Sequence, residues 1–243
     1  MKIIVHGAAG RMGTEVVKLI AADNSGLETV AAVDAFGGKN MLKNLTDFKG
    51  EADCIIDFSN HAATACLVDY AVKNSLPLVV ATTGQTPEEI ELIRAAAEKI
   101  PVFFSANMSL GVALLCNLAR TAAAAFPNAD IEIVEKHHNR KLDVPSGTAL
   151  MLADSVKEAR PEAEYLIGRH EYGKRRPEEI GIHSLRLGNV VGEHEVIIST
   201  DTQIITLKHE AQSRGLFAEG AVEAAKFLVG KPAGLYRMSD LIG

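Results

Sequence analysis

The sequence predicts an α/β protein: a doubly wound parallel sheet joined to a second α+β domain built on a mixed or antiparallel sheet. Three observations carry the prediction. Residues 1–105 alternate between short β-branched runs and helical stretches, the grammar of parallel strands joined by right-handed crossovers. Beyond about Ala106, extended runs succeed one another with few helices between them, which implies antiparallel or mixed pairing. Aromatic residues are only 5% of the 243-residue chain and Trp is absent. The core must therefore be built from Ala, Val, Ile and Leu, as it is where helices pack closely on parallel strands.

Taken in order, residues 2–6 (KIIVH) predict the first strand, and residues 11–23 a helix with Met12, Val16, Leu19 and Ile20 on one side. Residues 28–34, 54–58 and 76–81 predict the next three strands, with helices at 61–74 and 87–99 following the third and fourth. The helix at 87 has a start with a mechanism: Thr86 caps it, Pro87 suits its first turn, and Glu88 and Glu89 complement its dipole. Residues 101–105 predict a fifth strand. A long apolar helix over 109–126 reads as buried. Residues 130–138 alternate polar and apolar as a half-exposed strand does, and 147–159 predict a helix. Extended runs at 181–191, 193–200 and 202–210 precede an amphipathic helix at 216–228 and a short tail. The expected division is a first domain of 1–108 plus 218–243 and a second of 109–217.

Composition excludes several classes. With 47% hydrophobic and 23% charged residues the chain is neither disordered nor collagen-like. Twenty-five Lys and Arg against 31 Asp and Glu give a net charge of −6, which argues against coating a phosphate backbone, so no nucleic-acid partner is expected. Lys174-Arg175-Arg176 sits beside Glu171, Glu178 and Glu179 and reads as a solvated loop. Three cysteines without a Cys-x-x-Cys pair suit a reducing cytosol, so a cytoplasmic location is expected, with Cys54 and Cys66 as core residues. The apolar run at 3–5 is too short for a signal segment, and no stretch reaches the roughly 18 apolar residues of a membrane span. No membrane partner is expected.

The strongest local motif is the first strand-to-helix turn, Gly7-Ala8-Ala9-Gly10-Arg11-Met12-Gly13. Glycines there permit a tight turn and bring the N–H groups of a helix N-terminus close to a pyrophosphate. Such turns also serve plain packing. Here a strand precedes, a helix follows, and Asp34, 21 residues beyond Gly13, ends the second strand where a carboxylate can accept from an adenosine ribose. The reading is a Rossmann-like dinucleotide site. NADH and NADPH both stay open, because no arginine follows Asp34 while Arg11 and Lys39 are nearby cations. Ala81-Thr82-Thr83 and Ser105-Ala106-Asn107-Met108 follow predicted strands, where open α/β sheets bind ligands.

A second constellation is His137-His138-Asn139-Arg140-Lys141-Leu142-Asp143-Val144-Pro145-Ser146-Gly147-Thr148. Two imidazoles, an arginine and a lysine lead into a helix start at which Ser146 caps and the N–H groups of Gly147 and Thr148 suit a carboxylate. Lys141 or a histidine can supply a proton. No metal is expected, since adjacent strand residues point to opposite faces and no third ligand stands at helical or hairpin spacing. His6, His183, His194 and His209 read as structural.

Together with Asp57-Phe58-Ser59 and Gly192-Glu193-His194-Glu195-Val196, and with Glu135 and Lys136 preceding the second constellation, these motifs resemble the 4-hydroxy-tetrahydrodipicolinate reductase (dihydrodipicolinate reductase) family over essentially the whole chain. The resemblance implies an NADH- or NADPH-dependent reduction of a small cyclic dicarboxylate in diaminopimelate and lysine biosynthesis. It implies a cofactor loop at Gly7 to Gly13, ribose binding at Asp34, and nicotinamide-side loops at Ala81 to Thr83 and Ser105 to Met108. It further implies His137 as acid/base, Lys141 as proton donor, His138 in substrate binding, a carboxylate-binding turn at Ser146-Gly147-Thr148, and a homotetramer. Ala81 and Met108 stand where other members have Gly or Phe. Another Rossmann reductase of amino-acid metabolism, or a non-enzymatic NAD(P)H-sensing module, stays an alternative at this point.

Overall fold

The computed structural model describes residues 1–242 and contains eleven strands and seven α-helices among them. In chain order these are β1 (Lys2–His6), α1 (Arg11–Ala21), β2 (Glu28–Val33), β3 (Cys54–Asp57), α2 (Thr64–Lys73), β4 (Leu78–Val80), α3 (Pro87–Ala97) and β5 (Pro101–Phe104). Then come α4 (Leu110–Ala125), β6 (Asp130–His137), α5 (Gly147–Ala159), β7 (Glu164–Ile167), β8 (Glu179–Arg186), β9 (Gly192–Ser199), β10 (Ile204–Ala211), α6 (Gly215–Leu228), β11 (Gly234–Tyr236) and α7 (Ser239–Ile242). The chain forms two compact units, Met1–Leu110 with the chain from Arg214 onward, and Gly111–Ser213.

The first unit holds a six-stranded, wholly parallel sheet in the order β11-β5-β4-β3-β1-β2. Its inner strands are buried on both faces: Ile3, Ile4 and Val5 of β1, Cys54, Ile55 and Ile56 of β3, and Leu78, Val79 and Val80 of β4 are all fully buried. That is why these strands read as continuous apolar runs without alternation. From β1 the chain moves first to β2 on one side and then to β3 on the other, so the direction reverses between β1 and β3. Ligands of open α/β sheets bind outside the carboxyl ends at such a switch point. Helix α3 starts as its sequence dictates, with Thr86 Oγ1 accepting from Glu89 N–H and Glu89 Oε2 accepting from Thr86 N–H at 2.8 Å.

The second unit holds a five-stranded mixed sheet, β10-β9-β6-β8-β7, in which β6 pairs with β8 in parallel and with β9 antiparallel. Alternation along β6 points Ile131 and Ile133 into a core shared with Leu115 and Ala119 of α4 and Leu152 and Val156 of α5. The next two inward positions are Glu135 and His137, both buried. The apolar face of the strand thus ends in two ionisable groups.

The fold class matches the expectation, and the differences lie in details. The strand at 181–191 stops at Arg186, because the chain turns through Gly188 with φ +50°. Strand β7 and the C-terminal β11 and α7 replace an expected loop and tail. Helix α4 is buried on one side only, since Leu114 and Leu118 are nearly half exposed. Cys66 is exposed and is no core residue, whereas Cys54 is buried. Arg175 and Arg176 are not merely solvated: they pair with Asp130, Glu132, Glu164 and Glu179.

Candidate active site

In the first unit, the loop after β1 is shaped by close approach. Gly7 has φ +78°, and a Cβ there would lie 2.5 Å from the Phe58 carbonyl oxygen. A Cβ on Gly13, in the first turn of α1, would lie 2.1 Å from the Gly7 oxygen. Both positions therefore require glycine, and Gly10 caps the helix. Gly7 and Ala8 N–H groups donate to Val33 O at 2.9 and 3.1 Å, fastening the loop to the end of β2. Ala9 N–H donates to Asp34 Oδ2 and Phe36 N–H to Asp34 Oδ1, each at 3.0 Å. The structure thus brings Gly7, Ala8, Ala9, Gly10, Arg11, Met12 and Asp34 together. It also assigns the Ala9 N–H to Asp34, so that this group of the loop is already used within the protein.

A second organiser lies beneath. Asp57, at the end of β3, is 2% exposed and accepts from Thr82 Oγ1 and Ser59 Oγ, each at 2.6 Å, while His6 Nδ1 lies 2.8 Å away. One buried carboxylate therefore links the carboxyl ends of β1, β3 and β4. Ala81 and Thr82 are buried and Thr83 is exposed. After β5, Ser105 Oγ donates to Asn107 O at 2.7 Å and Asn107 Oδ1 accepts from Ser109 N–H at 2.9 Å, while Ala106 is exposed. The Met108 side chain is buried and its carbonyl backs onto Gly220 of α6, where a Cβ would lie 1.7 Å away.

In the second unit the predicted residues gather around one that sequence reasoning did not single out. Glu135 is fully buried. Arg186 grips both of its oxygens, at 2.9 and 2.8 Å, Ser146 N–H donates to Oε1 at 3.2 Å, and His137 Nδ1 bonds Oε2. Burial works to raise the Glu135 pKa, but the hydrogen bonds from His137 and Arg186 outweigh it and hold the group well below the usual carboxylate range. Ser146 caps α5, its Oγ accepting from Ala149 N–H at 3.2 Å, and the same oxygen is 3.0 Å from His194 Nε2. Burial, with His137 beside it, pushes His194 down to about 3, so this imidazole is neutral at ordinary pH. The His137 and His194 rings meet edge to face at 5.1 Å.

His194, expected as a structural histidine, thus stands directly against His137 and the Ser146 cap. No third ligand was expected at helical or hairpin spacing, yet the fold brings Glu135, His137 and His194 together, with atoms within 4.8 Å of one another. Local spacing concealed the group because β9 pairs with β6 from far along the chain, setting His194 against Glu135. The period of two along β6 does place Glu135 and His137 on one face. The Arg186 guanidinium already neutralises the carboxylate, a role that a bound cation would have to displace. Lys141 Nζ lies 2.8 Å from Asp143 Oδ2, and Lys141 N–H donates to His138 O at 3.1 Å. His138 is half-buried at the end of β6, Gly147 is exposed and Thr148 half-buried in the first turn of α5. His137, Ser146 and the loop carrying Lys141 are therefore one assembly that can hold a carboxylate and deliver a proton.

Comparisons with known proteins agree along the whole chain. The family described as "Dihydrodipicolinate reductase, N-terminus" matches residues 1–108, and "Dihydrodipicolinate reductase, C-terminus" matches residues 111–242. The 4-hydroxy-tetrahydrodipicolinate reductase of Caldanaerobacter subterraneus subsp. tengcongensis is 48% identical, over 100% of this chain and 98% of its own. That of Clostridium novyi is 41% identical, over 99% and 98%. Among solved structures, the dipicolinate-bound dihydrodipicolinate reductase from Paenisporosarcina sp. TG-14 superposes with a TM-score of 0.79 at 25% identity, covering 98% of this chain and 97% of that one.

Proposed function

The chain belongs to the dihydrodipicolinate reductase family, and from that premise we propose how its residues carry the reaction. It is an NAD(P)H-dependent oxidoreductase of diaminopimelate and lysine biosynthesis, reducing 4-hydroxy-tetrahydrodipicolinate to tetrahydrodipicolinate. The dinucleotide, when bound, supplies a hydride to C4 of the cyclic imine dicarboxylate. The chain's own residues must then bind both molecules and balance the charge.

The first unit fits a dinucleotide. Its glycine loop can fold tightly against Phe58 and the first turn of α1 only because Gly7 and Gly13 lack side chains, and the N-terminus of α1 complements the negative charge of a pyrophosphate. Asp34, held at the loop by two N–H groups, faces the ribose, while Thr82, Thr83 and the segment from Ser105 to Met108 bound the nicotinamide end. The second unit fits the dicarboxylate. Ser146, Gly147 and Thr148 receive one carboxylate at the start of α5, and His138 assists. His137 and Lys141 neutralise the electron density that hydride addition leaves on the ring.

The observation that supports this most is the common attachment of His137 and the Ser146 turn to Glu135, since proton donation and carboxylate binding are the two tasks the reaction sets. Positioned proton donors typically contribute about 10²- to 10⁴-fold. His137→Ala and Lys141→Ala are accordingly expected to lower kcat by that order while NADH and NADPH affinities hold. Near-normal turnover in both variants would reject the assignment. The same reading includes a cytoplasmic homotetramer assembled through the mixed sheet. In that reading the subunits would meet on the sheet's second face, which carries the ion-paired Lys136, Glu193, Glu195 and Lys208. Light scattering of the purified protein tests it, with a tetramer mass expected and a monomer mass contradicting it.

A further inference from the structure

Resting on the reductase reading, we propose that Glu135 and Arg186 are positioning residues that join the proton donors to the carboxylate-binding turn, so that both are set in place together. The joint is continuous in hydrogen bonds. Lys141 Nζ meets Asp143 Oδ2 at 2.8 Å, and the Asp143 carbonyl accepts from Arg186 Nη2 at 2.7 Å. The same guanidinium forks onto Glu135, whose other contacts are His137 Nδ1 and Ser146 N–H. Three separate pieces of chain, the end of β6, the loop after it and the start of α5, therefore share one anchor.

The chemistry of the anchor is specific. A fully buried carboxylate is costly to retain unless all its lone pairs are used, and here each oxygen receives the planar guanidinium and one further group. Lysine in place of Arg186 would keep the charge but lose the fork. Because the Nδ1 side of His137 is committed to Glu135, Nε2 is the nitrogen left for the ring being reduced. That atom faces the backbone of Gly192, where a Cβ would stand only 3.1 Å from it. His194, through Ser146 Oγ, steadies the same turn from β9.

The charged and titratable groups around His137 are Glu135 on its own strand, Arg186 on β8, His194 on β9 with His209 beyond it on β10, and Lys141 and Asp143 in the loop. Removing the Glu135 charge takes away the one carboxylate bonded to the imidazole and leaves Arg186 unneutralised beside it. The pH profile of activity should therefore differ from that of the parent.

Glu135→Gln and Arg186→Lys test the proposal in the full-length protein, with circular dichroism confirming the fold. By the scale of other imidazole-orienting partners, Glu135→Gln should lower kcat about 10- to 10²-fold. It should weaken dipicolinate binding in calorimetry and leave NADH binding unchanged, and Arg186→Lys should fall between it and the parent. Nitrogen NMR of the ligand-free protein gives a readout independent of turnover: Nδ1-protonated His137 in the parent and a mixed tautomer in Glu135→Gln. If Glu135→Gln fails to fold, Arg186→Lys alone decides. Both variants keeping kcat within about threefold, an unmoved pH profile, or a loss confined to dipicolinate binding would overturn the joint role. If the parent itself oxidises neither NADH nor NADPH, the reaction assignment fails, while the NMR and dipicolinate arms still decide whether the pair joins donor and turn.

Discussion

Replacing Gly192 by alanine isolates the geometry of His137, the proposed acid/base group, from the stability of the fold. Gly192 begins β9 opposite Ala211 and has a backbone that alanine can adopt. An added Cβ would lie 3.1 Å from His137 Nε2, 3.5 Å from its Cδ2 and 3.8 Å from His194 Cε1. The first contact is about 0.3 to 0.5 Å tighter than comfortable packing, so the imidazole must retreat by that amount. It has little room to do so, because Glu135 holds its Nδ1 and the His194 ring closes its flank. A misplacement of about 1 Å can cost about 10²-fold, so a third to a half of that corresponds to roughly 5- to 10-fold in kcat. Alanine in a strand is otherwise favoured over glycine by about 0.5–1 kcal/mol, which offsets the contact and leaves Tm nearly unchanged. Steady-state kinetics with both substrates varied, beside a thermal melt, give the answer. A kcat within about twofold of the parent at equal Tm, or a rise in the KM for NADH with kcat intact, would refute the placement of His137.

Other outcomes follow from the same structure. Gly13→Ala drives a Cβ to 2.1 Å from the Gly7 carbonyl and 2.7 Å from Ala8 Cα, so overpacking of about 1–3 kcal/mol and a loss of NADH binding are expected in a melt and a fluorescence titration. Asp34→Asn keeps the side-chain shape but removes the charge that would repel a 2′-phosphate. Its KM should rise for NADH and fall relative to NADH for NADPH, as measured with each cofactor in turn. Arg169, with Arg176 assisting, holds Glu179 down at about 2 against an ordinary 4.5. A depressed carboxylate contributes stability that is complete above about pH 4.5 and is lost as pH falls toward 2. Tm should therefore drop across that window, and Glu179→Gln should flatten the drop while lowering the plateau above it.

Much of the fold was legible because its signals are local. The apolar runs of β1, β3 and β4 declare strands buried on both faces, and Thr86-Pro87-Glu88-Glu89 announces a helix start that the capping bonds then realise. Ser146 was likewise readable as the cap of α5. What escaped depends on partners far away in sequence. Strand β11 has three residues and exists because it pairs with β5, and β7 because it pairs with β8. In the site, His137, Lys141 and Ser146 stand in one short stretch and could be found together. Arg186 and His194 reach it only through the pairing of β8 and β9 with β6, and no spacing within their own segments reveals that. Glu135 was the recoverable omission, since two residues along a strand return to the same face. The run at Lys174 to Arg176 misled for the complementary reason: its acidic neighbours in sequence were visible, but Asp130 and Glu132, which take up Arg175, were not.

The most direct measurement follows nicotinamide absorbance when the purified protein meets 4-hydroxy-tetrahydrodipicolinate generated in place by its synthase, with NADH and NADPH supplied in turn and Lys141→Ala run beside the parent. Oxidation of at least one cofactor by the parent is expected, with a loss of about 10²-fold or more in the variant at unchanged cofactor affinity. Oxidation of neither cofactor by the parent, or equal rates in parent and variant, would contradict the proposed function.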